Sequence, residues 1–284
     1  MKCYQKYVYA IVVAGLFTGC SQYYDFAEGK RCYNEKKYND AFTYFQKSAD
    51  SGNAQSQCYL GIMYEQGQGV KQDYPLAIKW YKESAKNVYV PALDSLGRLY
   101  AQLKDFKEAV KYLEKAAKKG SLASVYRMGI LYENGTGVEA DAAKAETMYK
   151  IAADRGFLLA QNALAYLWAQ QNRNLEDAEK RIIFAIENNS TPSYIPYFTD
   201  TYGLVLYKQG KYKDAITQFE KAMALTPDNA TIHNHLGDCY FKINDIAKAK
   251  EQWLKALDLK PLIPDDKLNA QIQAKLDAIR TVQK

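Results

Sequence analysis

The sequence contains few of the residues that enzymes and metal proteins use for their chemistry. It has two histidines, His233 and His235, and side chains two residues apart on a helix point about 200° apart, so these two cannot share a metal ion. The 32 acidic residues include none beside a recognisable catalytic signature, and no nucleophile with a partner base can be named. We therefore predict that the chain is not an enzyme and that it holds neither a metal nor a small-molecule cofactor.

Sheet-forming segments and long apolar runs are also scarce. Seven prolines and few runs of valine or threonine argue against a sheet and favour helices. The apolar run at residues 7–17 has eleven residues, and it is too short to cross a bilayer, which needs about 20. Because Lys2 and Lys6 precede this run and small residues follow it, we interpret residues 1–19 as a secretory signal peptide.

The net charge of +6 does not indicate a nucleic-acid partner. Without Lys2 and Lys6 the 38 basic residues become 36 against 32 acidic residues, a net charge of +4. Both signs are interspersed, as in residues 111–120, KYLEKAAKKG, which is typical of a solvated helix face. We predict that the chain binds no nucleic acid.

An internal repeat is the main feature that the sequence does contain. The stretch from Cys58 to Ala85 returns in the same register 68 residues later, from Tyr126 to Ala153. A fixed period indicates helical hairpins that stack on copies of themselves, because one hairpin cannot bury its apolar face alone.

The repeated unit predicts two short helices joined by a turn. Gly61 lies inside the first helix, where glycine costs about 1 kcal/mol relative to alanine, so we expect the second helix to approach it closely. Gly67 and Gly69 should end the first helix, and Asp73 should be the N-cap of the second, with Pro75 in its first turn. The Gly-x-Gly pair has no preceding strand, so it does not predict a phosphate loop.

Two motifs carry a resemblance to known repeat families. The pattern Leu-Gly-x-x-Tyr-Glu-x-Gly-x-Gly-Val at residues 60–70 resembles the Sel-one-like repeat, and the 34-residue spacing from Gly203 to Gly237 and from Pro227 to Pro261 resembles the tetratricopeptide repeat (TPR). The resemblance implies an all-α, right-handed α-solenoid of about seven helical hairpins with a C-terminal capping helix. We expect a mixed repeat array at 20–186, a proline-containing break at 187–199, two TPR units at 200–262 and the capping helix at 263–284.

Residues 16–20, Leu-Phe-Thr-Gly-Cys, resemble the bacterial lipobox. The resemblance implies that Cys20 is the acylated first residue of the mature protein, and two or more acyl chains, each gaining about 0.8 kcal/mol per buried methylene, hold a protein on a membrane. Ser21 in place of aspartate implies, by similarity to the sorting rule of Gram-negative lipoproteins, attachment to the outer membrane, and we expect a periplasm-facing protein. A soluble export signal is the alternative.

The TPR resemblance also implies a concave groove, lined by the first helix of each hairpin, that binds a protein or peptide. Carried onto this chain, the inward positions are Arg98, Tyr126, Ile130, Asn162, Tyr166, Asp200, Leu204, Tyr207, Lys208, Asn234, Asp238, Phe241 and Lys242. The partner-binding residues that we predict among them are Arg98, Tyr126, Asn162, Tyr166, Tyr207, Asn234, Phe241 and Lys242. Tyrosines interleaved with asparagine and lysine suit an extended peptide.

We therefore expect a lipid-anchored envelope scaffold that binds another protein. Two alternatives stay open: a hydrolase related to the cysteine-rich Sel-one-like proteins that are associated with β-lactamase activity, and a soluble periplasmic chaperone. The first would need the regular cysteine pairs that this chain lacks. An oxidising periplasm permits a Cys32–Cys58 disulfide, but the sequence does not decide between that bridge and buried free thiols.

Overall fold

The structure, a computed structural model, describes residues 23–259 and 266–282. Every regular element in these two ranges is a helix and none is a strand, which confirms the predicted all-α fold. The chain divides into two compact units, Met1–Ala145 and Glu146–Lys284, which we call the N-terminal and C-terminal units. The predicted signal peptide at 1–19 and Cys20 lie outside the described residues. Among the helices that are described, none combines the length and the apolar character needed to cross a membrane.

The N-terminal unit consists of successive helices joined by short turns. Its helices are α1 (residues 23–34), α2 (Tyr38–Asp50), α3 (Ala54–Gln66), α4 (Tyr74–Lys86), α5 (Val90–Gln102), α6 (Phe106–Lys118), α7 (Leu122–Asn134) and the start of α8 (Ala142–Ala153), which continues into the C-terminal unit. Helices α3 and α4 pack as one hairpin, α5 and α6 as the next, and each hairpin also packs on its neighbour in sequence.

The long turn between α3 and α4 follows the sequence prediction closely. Gly67 ends α3 in the left-handed conformation, with φ of 67°, and the side chain of Asp73 accepts a hydrogen bond of 2.8 Å from the backbone N–H of Leu76 as the N-cap of α4. Gly69, with φ of 71°, has a second reason to be glycine, because a Cβ there would lie 2.7 Å from backbone atoms of Tyr38. The turn therefore lies directly against the start of α2.

The glycine inside the first helix of a hairpin allows the close approach that we predicted. A Cβ on Gly61 would lie 2.5 Å from ring carbons of Tyr81 on α4, and that ring is fully buried. The same relation joins Gly29 to Phe45, Gly97 to Leu113, Gly203 to Phe219, and Gly237 to Trp253. The loss in helix propensity is offset by a large side chain that fills the space beside the glycine.

The C-terminal unit has the same construction. Its helices are α9 (Leu158–Gln170), α10 (Leu175–Glu187), α11 (Ile195–Lys208), α12 (Tyr212–Leu225), α13 (Ala230–Lys242), α14 (Ile246–Asp258) and α15 (Asp266–Val282). The helix order of the described residues corresponds to the predicted seven hairpins and capping helix. In α15 one apolar stripe is buried, at Ile272, Leu276 and Ile279.

The region of the predicted break, 187–199, contains a short 3₁₀ helix, Pro192–Tyr194, and the first turn of α11. Pro196 lies in that first turn, where the missing N–H of proline has no helical partner to lose. The connection between α10 and α11 therefore ends at residue 194, five residues earlier than expected.

The three cysteines of the described residues are buried free thiols: Cys32, Cys58 and Cys239. Of the two possibilities for Cys32 and Cys58, the structure thus shows free thiols.

Candidate functional site

Two pockets in the C-terminal unit lie where the first helices of successive hairpins meet the capping helix. The first has a volume of about 300 Å³. Its lining comes mainly from α9, α11, α13 and α15 and consists of Tyr166, Gln170, Leu204, Tyr207, Lys208, Phe219, Asn234, His235, Asp238, Gln271 and Lys275.

The second pocket, of about 530 Å³, is more apolar and has lysines at its edge. It is lined by Tyr207, Asp238, Phe241, Lys242, Asn244, Ile246, Trp253, Lys275, Ala278 and Ile279. Tyr207, Asp238 and Lys275 belong to both pockets, so we treat the two as one groove and call it the α9–α15 groove.

Lys275 of the capping helix organises the polar part of this groove. Its ammonium group donates to Asn234 Oδ1 at 2.8 Å and to both carboxylate oxygens of Asp238, at 2.6 and 2.8 Å. It also lies 5.6 Å from the centre of the Trp253 ring, whose indole N–H donates to Asp238 at 3.1 Å. Asn234, Asp238 and Lys275 are therefore already hydrogen-bonded to one another, and the Trp253 ring beside them is only 2% exposed.

The apolar wall of the groove is partly exposed and aromatic. The Phe241 side chain is 44% exposed and its ring centroid lies 5.8 Å from that of Trp253. Tyr207 is half-buried beside this wall. Burial, and after it the negative charge of Asp238, raises the pKa of Tyr207 to about 12, so its hydroxyl keeps its proton at neutral pH and can donate a hydrogen bond.

This arrangement suits the binding of a polypeptide better than catalysis. It presents aromatic area, a tyrosine hydroxyl and the ammonium groups of Lys208 and Lys242. Among the described lining residues Asp238 supplies the only carboxylate, and Lys275 neutralises it. Within residues 23–259 and 266–282, no group of three or more histidine, cysteine, aspartate or glutamate side chains is placed to hold a metal ion.

Five of the eight predicted partner-binding residues line the α9–α15 groove: Tyr166, Tyr207, Asn234, Phe241 and Lys242. Their role in binding stays a prediction. Of the other three, Asn162 on α9 lies in neither pocket, and its buried Oδ1 has no hydrogen-bond partner among the described residues. Tyr126 on α7 is half-buried in the N-terminal unit.

Arg98 has an environment that the spacing did not predict. Its guanidinium forms a bidentate ion pair with the Glu65 carboxylate, with two N–O distances of 2.6 Å. Glu65 is only 7% exposed, and it also accepts a hydrogen bond of 2.7 Å from the Tyr81 hydroxyl. Burial is the main reason why the pKa of Tyr81 lies above its usual range, and the hydrogen bond to Glu65 adds to it. Arg98 therefore connects its hairpin to the preceding one, and its role in partner binding stays a prediction.

The sequence reasoning missed Lys275, although a signal for it existed. Tyr207 and Phe241 are 34 residues apart, and one further step of 34 residues reaches Lys275. The capping helix thus places a residue at the same groove position as the first helices of the two preceding hairpins.

Comparisons with protein families agree with the predicted mixture of Sel-one-like and TPR units. A Sel1 repeat model matches residues 29–53, 54–89 and 122–157. Two TPR models match further hairpins, one at residues 203–244 and the other at 90–118 and 230–261. Repeat proteins of these kinds are generally protein–protein interaction scaffolds that bind protein or peptide partners.

Solved structures and curated relatives extend the comparison. The chain resembles c5321, a protective antigen of uropathogenic Escherichia coli strains with an SLR fold, with 23% identity and a TM-score of 0.69, over 91% of this chain and 56% of that one. It resembles a Sel1 repeat protein from Oxalobacter formigenes with 26% identity and a TM-score of 0.64, over 83% of this chain and all of the other. Chitin synthase regulatory factor 3 of Schizosaccharomyces pombe is 35% identical over 130 residues, which are 43% of this chain and 14% of that protein. The chain spans less than two fifths of the length of the curated relatives that it matches.

Proposed function

We propose that this chain, which belongs to the Sel1 and tetratricopeptide repeat proteins, is a non-enzymatic scaffold that binds a segment of another protein in its α9–α15 groove. The observation that carries the proposal is the juxtaposition of the exposed Phe241 ring with the exposed side chain of Lys242 and the hydroxyl of Tyr207. A polypeptide offers the matching chemistry, because its apolar side chains can cover Phe241 while its backbone carbonyls or carboxylates accept hydrogen bonds from Lys242.

The exposed area of Phe241 gives the size of its contribution. Aromatic side chains bury about 150–250 Å², so the 44% of Phe241 that is exposed corresponds to about 90 Å². At about 25 cal/mol per Å², burial of this area by a partner contributes about 2 kcal/mol to the binding free energy, or roughly a thirtyfold change in affinity.

A pair of matched substitutions tests this proposal. Phe241→Ala should reduce capture of the partner from extracts of the source cells by roughly thirtyfold, with no loss of helical content. Phe184→Ala is the control, because Phe184 is 41% exposed and lies on α10, outside both pockets. Equal capture by the two variants and the unsubstituted chain would contradict the proposal.

We further propose that the scaffold is anchored to the bacterial outer membrane by lipidated Cys20 and faces the periplasm. The lipobox-like residues 16–20 support this, since acyl chains on Cys20 would hold the mature chain on the membrane without a spanning helix.

Detergent phase partitioning tests the anchor. The unsubstituted protein should enter the detergent phase, whereas Cys20→Ser should stay in the aqueous phase. Cys239→Ser is the control, because that thiol is buried in the C-terminal unit and its loss should not change partitioning. Detergent partitioning that persists in Cys20→Ser would rule out an anchor at this residue.

A further inference from the structure

A second cleft, in the N-terminal unit, is lined by lysines and has an apolar floor. It lies between α4 and α6, the second helices of two successive hairpins, and has a volume of about 580 Å³. Its lining consists of Lys82, Ala85, Lys86, Val88, Leu93, Tyr112, Lys115, Lys118 and Lys119. Five of these nine residues are lysines and none is acidic, so we call it the lysine cleft.

Most of these lysines have no ion-pair partner among the described residues. Lys86 pairs with Glu83 at 2.7 Å, but the other four lysines form no ion pair with a described residue: Lys82, Lys115, Lys118 and Lys119. Lysines near a helix C-terminus do stabilise the helix dipole. That effect alone does not explain why lysines of two different helices border one recessed apolar surface.

The cleft also contains a residue with a strained backbone conformation, at a position where glycine would be unstrained. Val88 follows α4 with φ of 54°, a left-handed conformation in which a β-branched residue is a true outlier. The corresponding residue after α2, α6 and α8 is glycine, at Gly52, Gly120 and Gly156, with φ of 85° to 92°. A Cβ at any of these three glycines would meet nothing within 4 Å, so only the backbone conformation favours glycine.

Val88 therefore places an apolar side chain, 48% exposed, at a position where three other hairpins have glycine. Strained residues of this kind cluster at sites that bind ligands. The side chain lines the lysine cleft, where it adds apolar area that a bound partner would cover.

We propose that the lysine cleft is a docking site for an acidic segment of a partner protein that carries large apolar side chains between its carboxylates. The lysines supply charge complementarity, and the floor of Ala85, Leu93 and Tyr112 accepts the apolar side chains. A bilayer surface fits less well, because the floor is recessed and Leu93 is only 4% exposed. This site is separate from the α9–α15 groove, since it lies in the other unit and on second helices.

Fluorescence anisotropy with synthetic peptides on the full mature chain tests this proposal. The probe is a labelled peptide with alternating glutamate and leucine, compared with an all-glutamate peptide of equal charge and with a lysine–leucine peptide. Anionic phosphatidylglycerol vesicles provide the membrane comparison. The double variant Lys115→Glu/Lys118→Glu tests the charge, and Lys213→Glu/Lys221→Glu on α12 is the control, since it changes the net charge equally at exposed lysines.

We expect the glutamate–leucine peptide to bind most tightly. The α6 double variant should weaken this binding by at least about tenfold, and the α12 double variant by less than about twofold. Val88→Gly should weaken it by about fivefold through lost apolar contact, while the melting temperature stays equal or rises because the backbone strain is removed. Circular dichroism of each variant verifies the fold, and Lys115→Gln/Lys118→Gln gives a milder charge change if the reversal unfolds the unit.

Three results would overturn the proposal. The first is equal binding of the all-glutamate and glutamate–leucine peptides, which would mean that the apolar floor has no role. The second is an equal effect of the α6 and α12 double variants, which would mean that only the net charge matters. The third is binding of phosphatidylglycerol vesicles without peptide binding, which would identify a membrane contact instead.

Discussion

Substitution of Arg98 separates a structural role from a partner-binding role. Breaking a buried ion pair by removal of one partner costs about 3–5 kcal/mol. Arg98 is 36% exposed, and the Tyr81 hydroxyl still donates to Glu65 after the substitution. We therefore expect Arg98→Ala to lower the free energy of unfolding of the N-terminal unit by about 2–3 kcal/mol.

A double-mutant cycle measured by urea unfolding tests the cause of this loss. Glu65→Gln removes the buried charge that Arg98 compensates, and its amide oxygen can still accept the hydrogen bond from Tyr81. The double variant should therefore be more stable than the sum of the single losses predicts, by about 1–2 kcal/mol. Arg127→Ala is the matched control, because Arg127 lies 3.8 Å from Asp94 and should cost less than about 1 kcal/mol.

The reasoning would be refuted if Arg98→Ala cost less than about 0.5 kcal/mol and also reduced partner capture as Phe241→Ala should. Arg98 would then face a partner, as the repeat spacing alone predicts. A loss of stability with unchanged capture is the expected result.

Three further predictions follow from charge, burial and packing. The Arg173 guanidinium lowers the pKa of Glu146 below its ordinary 4.5, so their ion pair stabilises the fold above pH 4.5 and is lost as the pH falls through the lowered pKa. Arg173→Gln should lower the free energy of unfolding by about 1 kcal/mol at neutral pH. In a pH series of urea unfolding, this variant should also lose less stability on acidification than the unsubstituted chain. Burial raises the pKa of the Cys58 and Cys239 thiols to about 12, so both should resist iodoacetamide in the folded protein and react in urea, and rapid native alkylation would contradict their burial. Gly237→Ala places a Cβ 2.4 Å from an indole ring and should destabilise the C-terminal unit by about 2 kcal/mol in urea unfolding, whereas an unchanged midpoint would show that the ring can move away.

The sequence was most informative at positions where packing or backbone conformation permits only glycine. At Gly61 the Tyr81 ring leaves no room for a Cβ, and at Gly67 the helix ends in the left-handed conformation that glycine adopts most easily. The hairpins and their turns could therefore be predicted, and so could the groove positions of Tyr207 and Phe241.

Side-chain partners that come from distant parts of the chain could not be predicted in the same way. Arg98 pairs with Glu65 across 33 residues, and Lys275 reaches Asp238 across 37 residues. Spacing shows which face of a helix such a residue occupies, but it does not show which of several neighbouring charges the side chain will reach. The lysines of residues 111–120 are an example: because this segment also carries Glu114, its sequence predicts only an ordinary solvated helix face.

Photo-cross-linking in intact cells tests the central claim most directly. A photoreactive amino acid replaces Tyr207, which lies in both pockets of the α9–α15 groove, and in a control it replaces Phe184 on α10. The proposed function predicts a discrete adduct with one partner protein from position 207 and none from position 184. The same adduct from both positions, or an adduct from position 184 alone, would contradict a partner bound in the groove.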